Sequence, residues 1–131
     1  MCLILQTLGL ALVAAAMANK GSVNNNTVIS ESAWEALHDA PTEDCYLADL
    51  TSNFTQGGVN KFEEADTAGR NGYYGWLGYG GSVFQWHPDL KIGFAYVPTL
   101  LDWYTVENRK GRLLQGEIVK CVEKLQNGKS L

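Results

Sequence analysis

The chain has 131 residues, 46% hydrophobic and 18% charged, which suits one domain that does not depend on disulfides or metals for its core. Its net charge of −4 offers no basic excess to displace counterions from a phosphate backbone, so nucleic acid is not an expected partner. Three cysteines and two histidines lie apart, without C-x-x-C or similar spacing; a zinc site is excluded and no cofactor is expected.

The first segment is apolar from Cys2 to Ala18. Read as a secretory leader, it ends in the small-x-small run Ala16-Met17-Ala18 but has no Lys or Arg before Lys20. Read as an amphipathic helix, it places Leu8, Leu12 and Ala16 at four-residue spacing, with Gly21 as a left-handed C-cap. At about 17 apolar residues it falls short of the roughly 20 that span a bilayer, so no membrane span is expected. The residues alone leave leader and helix both open.

A polar loop, SVNNNT, leads to a short helix in SAWEALHDA. Ser30 or Ser32 is its N-cap, Ser32 and Glu35 fit the S-x-x-E capping box, and Pro41 stops it. Trp34, Leu37 and His38 share one face, where His38 reads as a packed or surface histidine rather than a ligand. From Thr42 to Arg70 the pattern is weak and reads as loops with a short extended piece around Phe54 to Phe62. Asn25 and Asn53 each begin an N-x-T sequon, relevant only if the chain is secreted.

Arg70-Asn71-Gly72 is a turn signal. Tyr73 to Trp86, rich in aromatic and β-branched residues, reads as one strand with a glycine-rich centre. His87-Pro88-Asp89-Leu90 has proline where type I turns favour it, and Lys91 to Val97 alternates Ile92, Phe94 and Tyr96 with Gly93, Ala95 and Val97. The two strands form an antiparallel hairpin, and the small-residue face suits a helix lying across it. Pro98 ends the second strand. Arg112 to Gln126 is an amphipathic helix with Leu114, Ile118, Cys121, Val122 and Leu125 in its stripe, which predicts a buried thiol at Cys121. A Cys45–Cys121 disulfide is geometrically open, though sequence cannot establish it.

Charge is unevenly spread. Glu31 to Asp66 holds nine acidic residues against Lys61 alone, whereas six basic residues face three acidic ones after Thr105. Two solvated, mutually attractive faces are the expected reading, and a basic tail directed at a membrane surface or RNA is the alternative.

The stretch Gly75-Trp76-Leu77-Gly78-Tyr79-Gly80-Gly81-Ser82 matches no phosphate-binding pattern. No lysine follows Gly81, and a dinucleotide fingerprint starting at Gly78 would need glycine where Val83 stands. Ser82 has neither a lysine three residues on nor a histidine placed beside it by sequence, so it reads as structural. A bare strand here could pair with an extended peptide, point an N–H at an oxyanion, or admit close packing from a neighbour.

Taken together, GWLGYGGSVFQWHPD, then KIGFAYVPTLL, then an amphipathic C-terminal helix resemble the C-terminal part of the serine β-lactamase-related hydrolases, in their class C, esterase and penicillin-binding-like branch. ALVAAAMANKGSVNNNTVISESAWEALHDAP is similar to that family's preceding helix and loop, which favours helix over leader for residues 8–19. The resemblance implies an α+β fold, a partial β-lactamase/transpeptidase-like domain of antiparallel strands packed by helices. It would form a single partial domain over 1–131, with 1–7 uncertain or leader-like. It sets Trp76, Leu77 and Gly78 at the family's third motif, Tyr79 as the backbone oxyanion-hole donor, and Gly80 and Gly81 just beyond.

The chain also departs from the family. No serine has lysine three residues on, no tyrosine has asparagine two on, and Trp76 stands where the family carries lysine or histidine. An indole offers one N–H donor and takes up no proton. Complete relatives are expected to transfer acyl groups from small-molecule or peptide esters and amides. This chain, lacking the nucleophile motif, is expected to be inactive alone. The other readings are a non-catalytic binding module using the glycine-rich strand and a small secreted glycoprotein.

Overall fold

A computed structural model describes residues 7–39, 45–47, 50–62, 70–78, 80–99 and 109–128. Among the described residues there are three helices, α1 (Thr7–Ala18), α2 (Glu31–His38) and α3 (Arg109–Asn127). The strands are β1 (Ser22–Val23), β2 (Asn26–Thr27), β3 (Cys45–Leu47), β4 (Leu50–Phe54), β5 (Asn60–Lys61), β6 (Tyr74–Gly78), β7 (Ser82–His87) and β8 (Ile92–Tyr96). β1 and β2 form a small ribbon; the other six make one antiparallel sheet in sequence order, β3-β4-β5-β6-β7-β8. The class is α+β with a C-terminal helix. β3 and β4 fall in the stretch whose weak periodicity reads as loop, because strands of three to five residues are too short to display a period, while β5 lies within the short extended piece expected around Phe54 to Phe62.

Register explains how the sheet is covered. Tyr74 pairs with Trp86, Trp76 with Phe84, and Gly93 with Trp86, so these residues share one face. Met17 and Ala18 of α1 and Trp34 and Leu37 of α2 pack there, around Trp86. Leu77, Val83, Phe94 and Ile92 occupy the opposite face with Tyr73 and Phe62, and α3 covers it through Val119 and Val122. The sheet is therefore sandwiched between α1 and α2 on one side and α3 on the other.

Gly93 sets how closely α1 approaches. A Cβ at Gly93 would collide with the backbone N of Ala15 and stand 2.6 Å from the carbonyl carbon of Ala14. The small-residue face of β8 thus carries a helix, as its alternation predicts. The buried side of that helix is Ala14, Ala16, Met17 and Ala18, whereas Leu8 is 70% exposed and Leu12 also faces outward. The four-residue leucine spacing therefore marks the wrong stripe: the close crossing at Gly93 admits alanine and excludes leucine. Gly21, at φ 92, ends α1 with its N–H donating to Ala16 O at 2.8 Å, the left-handed cap expected of it.

The N-cap of α2 is Ser30, whose hydroxyl accepts from Ala33 N at 3.2 Å. On α3 the apolar stripe is also displaced. Gly111 and Gln115 are buried, while Leu114, Ile118 and Leu125 are exposed and Cys121 is an exposed free thiol rather than a buried one. Cys121 forms no disulfide in this structure.

Candidate functional site

The glycine-rich stretch is a hairpin and not one strand. β6 ends at Gly78, β7 starts at Ser82, and Gly78 pairs directly with Ser82. Gly80 and Gly81 both adopt positive φ, 96° and 97°, and Gly81 N donates to Gly78 O at 3.1 Å. Consecutive left-handed residues turn the chain within three positions, and only glycine does so without strain. Gly75, upstream, has a packing role: a Cβ there would collide with the carbonyl oxygen of Phe84. β7 pairs with β6 along Tyr74–Gly78, whereas β5 pairs with it only at Tyr74 and Gly75. The stretch read as one bare strand from Trp76 to Ser82 is instead a strand end, a turn and the start of β7, paired with each other at Trp76–Phe84, Leu77–Val83 and Gly78–Ser82.

Trp76 sits on β6 with its side chain partly exposed, at 42%, and donates its indole N–H to Gly58 O at 3.1 Å. Its ring lies parallel to Phe84, with centroids 6.0 Å apart, and edge-on to Trp86. Leu77 faces the α3 side and packs on its core, and Gly78 closes the strand. Tyr79, the expected oxyanion-hole donor, lies outside the described residues.

Ser82 and the two histidines are not brought together. His38 bonds the indole of Trp86, a residue whose backbone stands four positions along β7 from Ser82, about 13 Å at the strand rise. His87 follows Trp86 at the end of the strand, on the opposite face from Ser82 and Phe84. His38 is satisfied twice over: its Nδ1–H donates to Trp34 O at 2.7 Å and its Nε2 accepts the indole N–H of Trp86 at 2.9 Å. It also stacks on Trp34 at 3.8 Å and meets the edge of Tyr74. Burial pushes its pKa below the ordinary 6.5, opposed by the Trp34 carbonyl. His87 accepts the Leu90 N–H through Nδ1 at 3.3 Å, capping the Pro88 turn, and is likewise held down by burial. Both imidazoles serve packing, as the sequence suggests for His38.

Of the two sequons, Asn25 is exposed in the tight β1–β2 turn, and Asn53 is half-buried in β4 opposite Lys61. Among the described residues no His, Cys, Asp and Glu group could hold a metal, and no helix is long and apolar enough to cross a membrane.

One cluster escapes the sequence reading altogether. Arg70 is only 2% exposed and donates through Nε to Gln115 Oε1 at 3.2 Å; Gln115 Nε2 then donates to Gln85 Oε1 at 2.6 Å. This chain joins the loop before β6 to α3 and β7 in the sheet–helix seam. Sequence marks Arg70 only as the start of a turn, in which Tyr73 N does bond Arg70 O at 2.9 Å. Gln115 lies seven residues before Val122, on the buried face of α3, but a polar residue there carries no hydropathy signal.

No family model, curated protein or solved structure matches the chain.

Proposed function

We propose that the chain is the active-site-wall portion of a β-lactamase-related serine hydrolase and performs no acyl transfer by itself. The observation that carries this reading is the β6–β7–β8 meander. Trp76, Leu77 and Gly78 close its first strand, the Gly80–Gly81 reversal follows, and helices clamp the two faces. Within it, the antiparallel pairing of β7 with β8 through the His87–Asp89 turn, with helices on the faces, is what supports this reading; the reversal at Gly80–Gly81 is an addition to the single strand that the resemblance implies.

In a complete relative, a serine hydroxyl attacks the acyl carbonyl, a neighbouring base takes its proton, and backbone N–H groups stabilise the oxyanion. This chain contributes a strand end at Gly78 and a turn carrying Gly80 and Gly81. It contributes no Ser-x-x-Lys nucleophile motif. Trp76 gives the wall a neutral indole, already engaged with Gly58, in place of a cation.

The purified chain should turn over nitrocefin and p-nitrophenyl acetate no faster than buffer does. Expressed with an in-frame upstream segment carrying Ser-x-x-Lys and Tyr-x-Asn, it should hydrolyse one of them, and replacing that upstream serine by alanine should abolish the activity. Turnover by the chain alone, or an upstream sequence without both motifs, contradicts the proposal.

A further inference from the structure

α3 covers the sheet with one face and leaves a second apolar face uncovered. Gly111, Gln115, Val119 and Val122 turn toward the sheet. Leu114, Ile118, Cys121 and Leu125 lie about a quarter turn to one side at 3.6 residues per turn, and all four are exposed, Leu125 to 68%. Their spacing of four, three and four residues is the repeat by which two helices interlock side chains along a shared line. The run holds fewer than two full repeats, so it supports a local helix pair and not an extended coiled coil. Charge then selects the partner and its direction. Glu117 and Lys124 stand seven residues apart on the solvent side of the stripe, whereas its other flank, Gln115 and Val122, is committed to the sheet. Two parallel copies would set the charged flank of one against the sheet-bound flank of the other. Two antiparallel copies set charged flank against charged flank. With Leu114 opposite Leu125 of the second copy and Ile118 opposite its Cys121, Glu117 falls opposite Lys124, and the two-fold axis repeats each contact. A single alignment thus matches apolar with apolar and acid with base. Glu117 already accepts from Lys120 at 2.8 Å, but both side chains are exposed and a carboxylate has acceptor sites for two ammonium groups.

We propose that α3 is a self-association surface, on which a second copy of this chain docks its own α3 antiparallel and buries Leu114, Ile118, Cys121 and Leu125. The inference stands independently of the hydrolase reading, because none of these residues belongs to the β6–β7–β8 meander. Four side chains from each copy make a small surface, so the dimer belongs to the weak class and forms at high protein concentration.

Sedimentation of the full chain from about 10 µM to about 1 mM should show a reversible monomer–dimer equilibrium. Alkylation of Cys121 by N-ethylmaleimide, followed peptide by peptide in a mass spectrometer, should slow several-fold over the same range. Leu125→Lys, at a site exposed in the monomer, should abolish both effects without lowering the thermal midpoint of dilute protein. Glu117→Lys and Lys124→Glu should each weaken association roughly tenfold, since two attractive pairs become repulsive. Mixed together, these two variants should form a 1:1 heterodimer, and the double exchange in one chain should restore wild-type association. A chain that stays monomeric throughout overturns the proposal. That holds equally if its stripe is shielded only when upstream sequence is added, or if it binds vesicles of phosphatidylcholine and phosphatidylserine instead. Association that Leu125→Lys leaves intact, or charge variants that fail to rescue each other, overturn it as well.

Discussion

Gly93 and Gly116 are both glycines inside regular structure, yet they carry opposite expectations. A methyl group on Gly93 drives into the backbone of Ala14 and Ala15, which cannot rotate away as a side chain would. Gly93→Ala should cost about 1–3 kcal/mol in a denaturant titration, the usual range for overpacking. Gly116 sits within α3 with nothing within 4 Å of an added Cβ. Gly116→Ala should therefore stabilise the chain by up to about 1 kcal/mol, the helix-propensity difference. Equal effects from the two substitutions would show that α1 does not lie on β8 as described. The sequence makes the first of these sites legible, since Gly93, Ala95 and Val97 form a small-residue face. It cannot say which helix uses that face.

Among the elements, α2 owes its position to one imidazole. Its eight residues are too few for an isolated helix to persist in water, and no residue in it is fully buried. Trp34, Leu37 and His38 attach it to the sheet, and the Trp86 indole N–H requires a neutral Nε2 as acceptor. Burial dominates the His38 shift. Because the folded-state pKa is depressed below the unfolded value near 6.5, the unfolded chain binds the proton more tightly. The His38 contribution is fully present above pH 6.5 and is lost as pH falls through the depressed folded value; His87 acts in the same direction. Proton NMR should show both imidazoles titrating below pH 6.5, and Trp86→Phe should weaken the His38 linkage while leaving that of His87 in place. The helices and the β8 strand are legible from residue types because they have caps, prolines and alternation. The stripes on α1 and α3 are misread because periodicity records which residues are apolar and not which face a neighbour covers. Leu114, Ile118 and Leu125 satisfy the period, yet α3 turns Gly111, Gln115, Val119 and Val122 toward the sheet.

For the molecule as a whole, two helices from opposite parts of the sequence protect opposite faces of one sheet, so neither face survives without its cover. A chain ending before Arg109 leaves Phe62, Tyr73, Val83, Ile92 and Phe94 without Val119 and Val122. It should lose cooperative thermal unfolding and bind a hydrophobic dye such as ANS, whereas the intact chain melts in one transition. The candidate site was legible as a glycine–aromatic motif but not as a reversal, since Gly80 and Gly81 look alike in a strand and in a turn until their torsion angles are known. The Arg70 seam was illegible because it joins residues far apart in sequence whose polar side chains suggest solvent.

The strand order has a consequence for the route by which the chain folds. Every pairing in the six-stranded sheet joins strands adjacent in sequence, so the sheet can zip by successive short loop closures. The crossing of α1 over Gly93 is different, because it closes nearly the whole sheet into a single loop and gains nothing until β8 exists. Docking of α1 is then a late event. In stopped-flow experiments Gly93→Ala should accelerate unfolding far more than it slows folding, while destabilising changes in the β6–β7 hairpin should slow folding itself.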